Sequence, residues 1–176
     1  MELDVGHLKE LVRDVPEFPQ PGVVFKDITP LLADPPGFRM AVDAVADHFA
    51  GHDVARVVGI EARGFILAAP VAYRLGASFV PVRKPGKLPW QVARQEYLLE
   101  YGSDMLEVHR DGILTDERVL VVDDVLATGG TAAATVQLVR HLGGTVVGLG
   151  FLIELGFLAG RERLEGLEVL SLLSYE

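Results

Sequence analysis

Asp123 and Asp124 stand side by side after Arg118-Val119-Leu120-Val121-Val122, and Ala127-Thr128-Gly129-Gly130-Thr131 follows within a few residues. The unbroken β-branched and aliphatic run reads as a short strand buried on both faces of a parallel sheet, ending on the two acids. Glycines let a backbone approach an anion closely, and the free N–H groups of a following helix point at it, so the small-residue stretch suits a phosphate. The adjacent carboxylates suit something else: they accept from sugar hydroxyls and ligate Mg²⁺ or its waters. A phosphate at one end and a diol at the other describe a ribose 5-phosphate. The alternative is a solvated turn whose acids only cap the helix. Neither the G-x-x-x-x-G-K-[ST] loop nor a G-x-G-x-x-G following a strand occurs in the chain.

Two basic turns accompany this stretch. Arg63, in Glu61-Ala62-Arg63-Gly64, directly follows an apolar run, and Arg83, Lys84 and Lys87 follow another. Arg63 offers paired N–H contacts to phosphate oxygens, and lysine adds compact charge. The competing readings are a surface ion pair for Arg63 and a solvated loop for the lysines. With a 5-phosphate and a diol, these cations fit a substrate carrying diphosphate at C1, and displacement of that diphosphate by a nitrogen nucleophile. Such a reaction must stabilise the leaving group and manage a proton on the attacking nitrogen. Glu100, within Leu99-Glu100-Tyr101-Gly102, is the candidate for the proton, against its reading as a solvated hairpin residue. Val23-Val24-Phe25, apolar within a proline-rich loop, is either a core plug or a lid over a flat apolar ligand.

The elements that must position these residues follow from spacing. Apolar positions predict a helix over 3–15, stopped by Pro16, and another from 35 to 49. Strands are expected over 55–60, 78–82, 118–122, 145–153 and 167–173. Helices are expected over 65–75 and 131–142, a short helix over 156–164, and a hairpin from 96–101 and 105–108 turned at 102–104. Alternating strands and helices imply a doubly wound, mainly parallel sheet, which binds ligands beyond the carboxyl ends of its strands. The turns at Arg63, Arg83 and Asp123 should therefore line one rim.

Composition narrows the function classes. At 176 residues with 49% hydrophobic and 23% charged residues, the chain suits one globular domain, 1–176. A net charge of −9 argues against a nucleic-acid surface, and no apolar run reaches membrane-spanning length. The acidic start is unlike a signal peptide, which predicts a cytoplasmic protein. The absence of cysteine leaves oxygen or imidazole ligands for any metal, which Mg²⁺ satisfies.

The run VVDDVLATGGT resembles the phosphoribosyl diphosphate (PRPP) motif of the type I phosphoribosyltransferases. Together with FPQPGVVFKDITPLL, GIEARGF, RKPGKLP, LEYG and the terminal LLSYE, in order over residues 15–176, it resembles the adenine phosphoribosyltransferases. The resemblance implies an α/β type I phosphoribosyltransferase fold: a mainly parallel sheet flanked by helices, a small hood from about residues 1–34, and a flexible hairpin loop. It implies Mg²⁺-dependent transfer of phosphoribosyl from PRPP to adenine, giving AMP and diphosphate in purine salvage, by a homodimer. Asp123 and Asp124 would hold the ribose hydroxyls, and Ala127, Thr128, Gly129, Gly130 and Thr131 the 5-phosphate. Mg²⁺ would be held mainly through PRPP and water near the acid pair. Arg63 would bind diphosphate, with Arg83, Lys84 and Lys87 acting across the dimer interface. Glu100 would handle the purine proton. Phe25 would stack on adenine, the main chain at Val24 and Lys26 would read its amino edge, and Ile153 would form part of the opposite wall. The sequence departs from the family at Glu61-Ala62, where Asp-Ser is common, which puts one diphosphate contact in doubt. A 6-oxopurine phosphoribosyltransferase or a PRPP-sensing regulator is the competing expectation.

Overall fold

The structure, a computed structural model, describes residues 4–98 and 103–176. Its centre is a five-stranded sheet made of β3 (Arg56–Ile60), β4 (Ser78–Val82), β7 (Arg118–Leu126), β8 (Thr145–Leu155) and β9 (Val169–Tyr175). The spatial order is β4-β3-β7-β8-β9, and every neighbouring pair is parallel. Helix α4 (Gly64–Leu75) crosses from β3 to β4, while α5 (Gly130–His141) crosses from β7 to β8. The chain therefore leaves β3 and β7 in opposite directions across the sheet, and the crevice between their carboxyl ends is the switch point at which such sheets bind ligands.

Both faces of the sheet are covered, as a parallel sheet requires. On one face α3 (Pro35–Phe49) and α4 pack against Val57, Leu120, Val122 and Leu152; α1 (Val5–Glu10) and α2 (Thr29–Ala33) add Leu8 and Leu31. On the other, α5 and the antiparallel hairpin β5 (Val92–Leu98) and β6 (Ser103–His109) cover Val58, Val119, Val121 and Leu149. Helix α3 forms where the apolar spacing places it. Pro35 opens its first turn, Asp34 accepts from Gly37 N at 2.8 Å as its N-cap, and Val42, Val45 and Phe49 lie on the buried face.

Three expectations are corrected here, two of them by strand pairing. The helix expected over 3–15 is confined within the described residues to Val5–Glu10, because Arg13–Pro16 (β1) pairs antiparallel with Val24–Asp27 (β2), Val15 opposite Phe25. Of the apolar residues that suggested further helix, Val15 belongs to this two-stranded hood, whereas Val12 lies in the bend before β1 and packs against the core. The central strand does not end at the acids: Val125 and Leu126 continue to pair with Ile153 and Glu154 of β8. The stretch 156–164 is two 3-10 turns, Gly156–Leu158 and Gly160–Leu164. Among the described residues no helix is long and apolar enough to cross a membrane.

Phe49 is wholly buried beneath β8 at Gly148 and Gly150. Phe49→Ala is expected to lower the unfolding free energy by about 3–5 kcal/mol, measured by urea denaturation, since the rigid sheet above it does not collapse into the cavity.

Candidate active site

β7 delivers the acid pair into the crevice and α5 delivers the loop beside it. Asp124 is 5% exposed, and the Asp124 N–H donates to Asp123 Oδ1 at 2.9 Å. Gly64, the first residue of α4, has no room for a side chain: a Cβ there would lie 2.6 Å from Asp123 Oδ1. The glycine of the Glu-Ala-Arg-Gly turn is thus explained by the carboxylate packed against it. Burial, followed by the charge of Asp124, holds Asp123 well above the ordinary aspartate range, while Arg63 opposes this less strongly.

Arg63 ends the β3 turn and crosses the switch point. Its Nε lies 2.6 Å from Asp124 Oδ2, and its guanidinium sits 5.0 Å from the centre of the Phe25 ring. The contact to Asp124 is an ion pair without hydrogen-bond alignment, so among the described residues this buried oxygen has no aligned donor. A carboxylate in that state is ready to accept from a ligand hydroxyl. Arg63 is therefore an ion pair, but one inside the cleft and not out on the surface.

The segment Ala127–Gly129 turns the chain into α5. Gly129 has φ +79°, and no side chain caps the helix, leaving the first-turn N–H groups free of a capping side chain. Ala127, Thr128, Gly129, Gly130 and Thr131 line a cup of about 80 Å³ together with Asp123. The cup is braced from behind by Gly160, at which a Cβ would lie 2.1 Å from the Ala127 carbonyl oxygen and 2.9 Å from Gly129 N. Two backbones touch there with no side chain between them.

The cup opens into a cleft of about 390 Å³ whose walls include Val24, Phe25, Lys26, Arg63, Lys84, Asp123, Asp124 and Thr131. β2 presents Phe25, against which Phe18 packs edge-on at 5.2 Å. Lys26 turns its ammonium away to Asp14, at 2.6 Å, and over the ring of Tyr175 at 4.0 Å, so the last strand holds the hood in place. Ile153 is not on the wall. It is fully buried in the core, and Leu155, two residues further along the same strand, lines the cleft because β8 runs past the point where the apolar pattern suggested its end.

The basic turn divides. Lys84 lines the cleft of its own chain, whereas Arg83 and Lys87 are not among the lining residues. Arg83 donates to Glu61 Oε2 through Nε at 3.1 Å and Nη2 at 3.0 Å, and Nη1 reaches the Lys87 carbonyl at 3.3 Å. Glu61 also accepts from Lys84 N. Tyr97 and Asp104 of the hairpin, neither of which sequence reasoning singled out, bind the Lys84 ammonium. Lone polar residues in a hairpin carry no spacing signal that would have revealed them. Glu100 lies outside the described residues.

Residues 38–166 match the family described as the phosphoribosyl transferase domain. The adenine phosphoribosyltransferase of Solibacter usitatus is 59% identical over 96% of this chain and 98% of its own. The chain belongs to the adenine phosphoribosyltransferase family. The crystal structure of the Rhodothermus marinus member superposes with a TM-score of 0.93 at 51% identity, covering 97% of this chain and 98% of that one. The Saccharomyces cerevisiae member, solved with an imino-altritol bisphosphate and adenine, gives 0.91 at 38% identity, covering 96% of this chain and 98% of that one. The mainly parallel sheet with helices on both faces is the fold of this family.

The displaced titration of Asp123 has a consequence for stability. An acid whose pKa is raised on folding opposes folding once pH exceeds its unfolded value, near 3.8, and does so fully above the raised value. Asp123→Asn is therefore expected to raise the thermal midpoint at neutral pH, on the scale of about 2–4 °C for each kcal/mol recovered. The gain should vanish below the ordinary aspartate range, as differential scanning calorimetry across pH would reveal.

Proposed function

We propose that this chain transfers the 5-phosphoribosyl group of PRPP to adenine, releasing diphosphate and forming AMP. The observation that carries the reading is the joining, in one crevice, of an uncapped helix start behind a glycine loop, a buried carboxylate pair and an aromatic hood. Asp123 and Asp124 accept from the ribose hydroxyls. The loop Ala127–Thr131 donates to the 5-phosphate through backbone N–H groups and threonine hydroxyls. Phe25 stacks on the purine, with Leu155 in place of Ile153 on the cleft wall. The main chain at Val24 and Lys26 reads the base edge: a carbonyl accepts from the exocyclic amine of adenine, whereas a 6-oxopurine would set acceptor against acceptor.

In the reaction the C1–oxygen bond to diphosphate breaks and a bond from C1 to the purine nitrogen forms, and the proton on that nitrogen must leave. Glu100 is the proposed acceptor of that proton. Arg63 and Lys84 stabilise the departing diphosphate from within the cleft. Arg83 and Lys87, which do not line the cleft of their own chain, are proposed to serve a second copy of the chain in a homodimer.

Mg²⁺ binds through one or two carboxylates together with substrate phosphates, and among the described residues no group of three or more His, Asp or Glu stands together to cage a metal. The acid pair, with its poorly satisfied Asp124 oxygen, fits that mode of binding. When bound, the ion supplies neutralisation of phosphate charge.

Diphosphate release is to be measured with PRPP and Mg²⁺, offering adenine, hypoxanthine, guanine, xanthine and orotate separately. Turnover with adenine alone is expected, and turnover with a 6-oxopurine instead would refute the base-edge reading. Glu100→Gln is expected to lower kcat by about 10²–10⁴-fold while leaving AMP affinity unchanged, which titration calorimetry checks; an unaltered kcat removes Glu100 from the chemistry.

A further inference from the structure

Lys84 is the lysine of the basic turn that faces the cleft, yet its charge is already engaged. Its ammonium donates to Tyr97 Oη at 2.9 Å and to Asp104 Oδ2. Tyr97 in turn donates to Asp104 Oδ2 at 3.1 Å, and Asp104 Oδ1 accepts from Met105 N at 2.7 Å. Tyr97 and Asp104 are directly opposite each other on β5 and β6, so they act as one unit on the arm of the hairpin. Tyr97 Oη also lies 3.5 Å from Thr131 Oγ1 in the phosphate loop. The hairpin thus touches both the cation on the cleft wall and the rim of the cup.

We propose that Asp104 is an internal stand-in for the substrate's diphosphate: its carboxylate occupies Lys84 in the free protein, and a diphosphate group competes with it for the ammonium. The inference rests on the proposed function. The side chains of Lys84 and Asp104 are 39% and 30% exposed, so the pair is neither locked in the core nor fully dissipated in water. Partial burial alone would lower the lysine's pKa, but the hydrogen bonds it donates to Asp104 and Tyr97 hold it above its usual value, and the Lys84 ammonium holds the Asp104 carboxyl below its own. Both groups are charged at neutral pH, and an oxygen acceptor bearing more than one negative charge outcompetes a lone carboxylate for the same donor. Asp104 is in this view an affinity-setting residue: it weakens binding of diphosphate and PRPP without touching a ligand that lacks diphosphate.

AMP is the control, since it carries the 5-phosphate, the ribose and the base but no diphosphate. Dissociation constants of diphosphate, PRPP and AMP are to be measured by titration calorimetry with Mg²⁺ present, for the wild type, Asp104→Asn and Asp104→Glu. Asp104→Asn is expected to bind diphosphate and PRPP roughly two- to fivefold more tightly, the scale of a half-exposed ion pair, with AMP unchanged. Asp104→Glu, which keeps the charge, should remain close to the wild type. Unchanged or weaker diphosphate binding by Asp104→Asn, with AMP binding intact, overturns the proposal, and so does a parallel loss of AMP binding, which would make Asp104 structural. A wild type that binds neither AMP nor diphosphate overturns the functional reading on which the proposal stands.

Discussion

The parallel pairing of β3 with β7 is the constraint on which the rest of the site depends. Arg56 through Gly59 lie opposite Val119 through Val122, so the two strands bring the turn after β3 to the same level as the acids that follow Val122 in β7. Their crossovers diverge, one helix returning toward β4 and the other toward β8, and nothing regular fills the gap between the strand ends. Arg63 and Asp124 meet across that gap at 2.6 Å although 61 residues separate them in the chain. A shift of one residue in this register would exchange the core and opposite faces of the strand and lose both the packing and the pairing.

Charge concentrated in such a crevice works against folding, and the surrounding residues show how the fold tolerates it. Asp123 pays for its position with an unfavourable ionisation, moderated by Arg63 and by the Asp124 N–H. Small residues do the rest: Gly64 admits the Asp123 carboxylate, while Gly129 and Gly160 let the glycine loop before α5 rest directly on the backbone of the 3-10 turn. A larger side chain at any of these positions would displace a polar group by more than the tolerance of a hydrogen bond. The same features that make the crevice unfavourable when empty suit it to an anion with hydroxyl groups, because the ligand supplies the partners that the protein withholds.

Much of this was legible in the sequence, for local physical reasons. Buried strands declare themselves by aliphatic runs, and β3, β4 and β7 begin within a residue of their expected positions. The loop before α5 is legible because its tight turn and the start of the helix demand small residues in that place. What was not legible is long-range pairing. Val12 and Val15 continue a helical spacing, and only the presence of Val24–Asp27 alongside, with Phe25 opposite Val15 and Val24 opposite Pro16, makes Arg13–Pro16 a strand. Ile153 illustrates a different limit: the strand's direction was clear but its length was not, and a shift of two residues on one face moves a side chain from core to cleft.

The Glu61-Ala62 departure changes the turn at two positions. Ala62, where serine is common, offers no hydroxyl to a ligand, while Glu61, where aspartate is common, accepts from Arg83 through two nitrogens and from the Lys84 N–H. It therefore ties the end of β3 to the end of β4 and fixes the base of the basic turn. Arg83 takes part in that bracing and does not line the cleft of its own chain, so Lys84 carries the charge that this cleft receives from its own turn. That lysine is itself engaged by Asp104. On the proposed reading, the affinity of a diphosphate end of the site is set less by how many cations surround it than by how firmly neighbouring carboxylates already hold them.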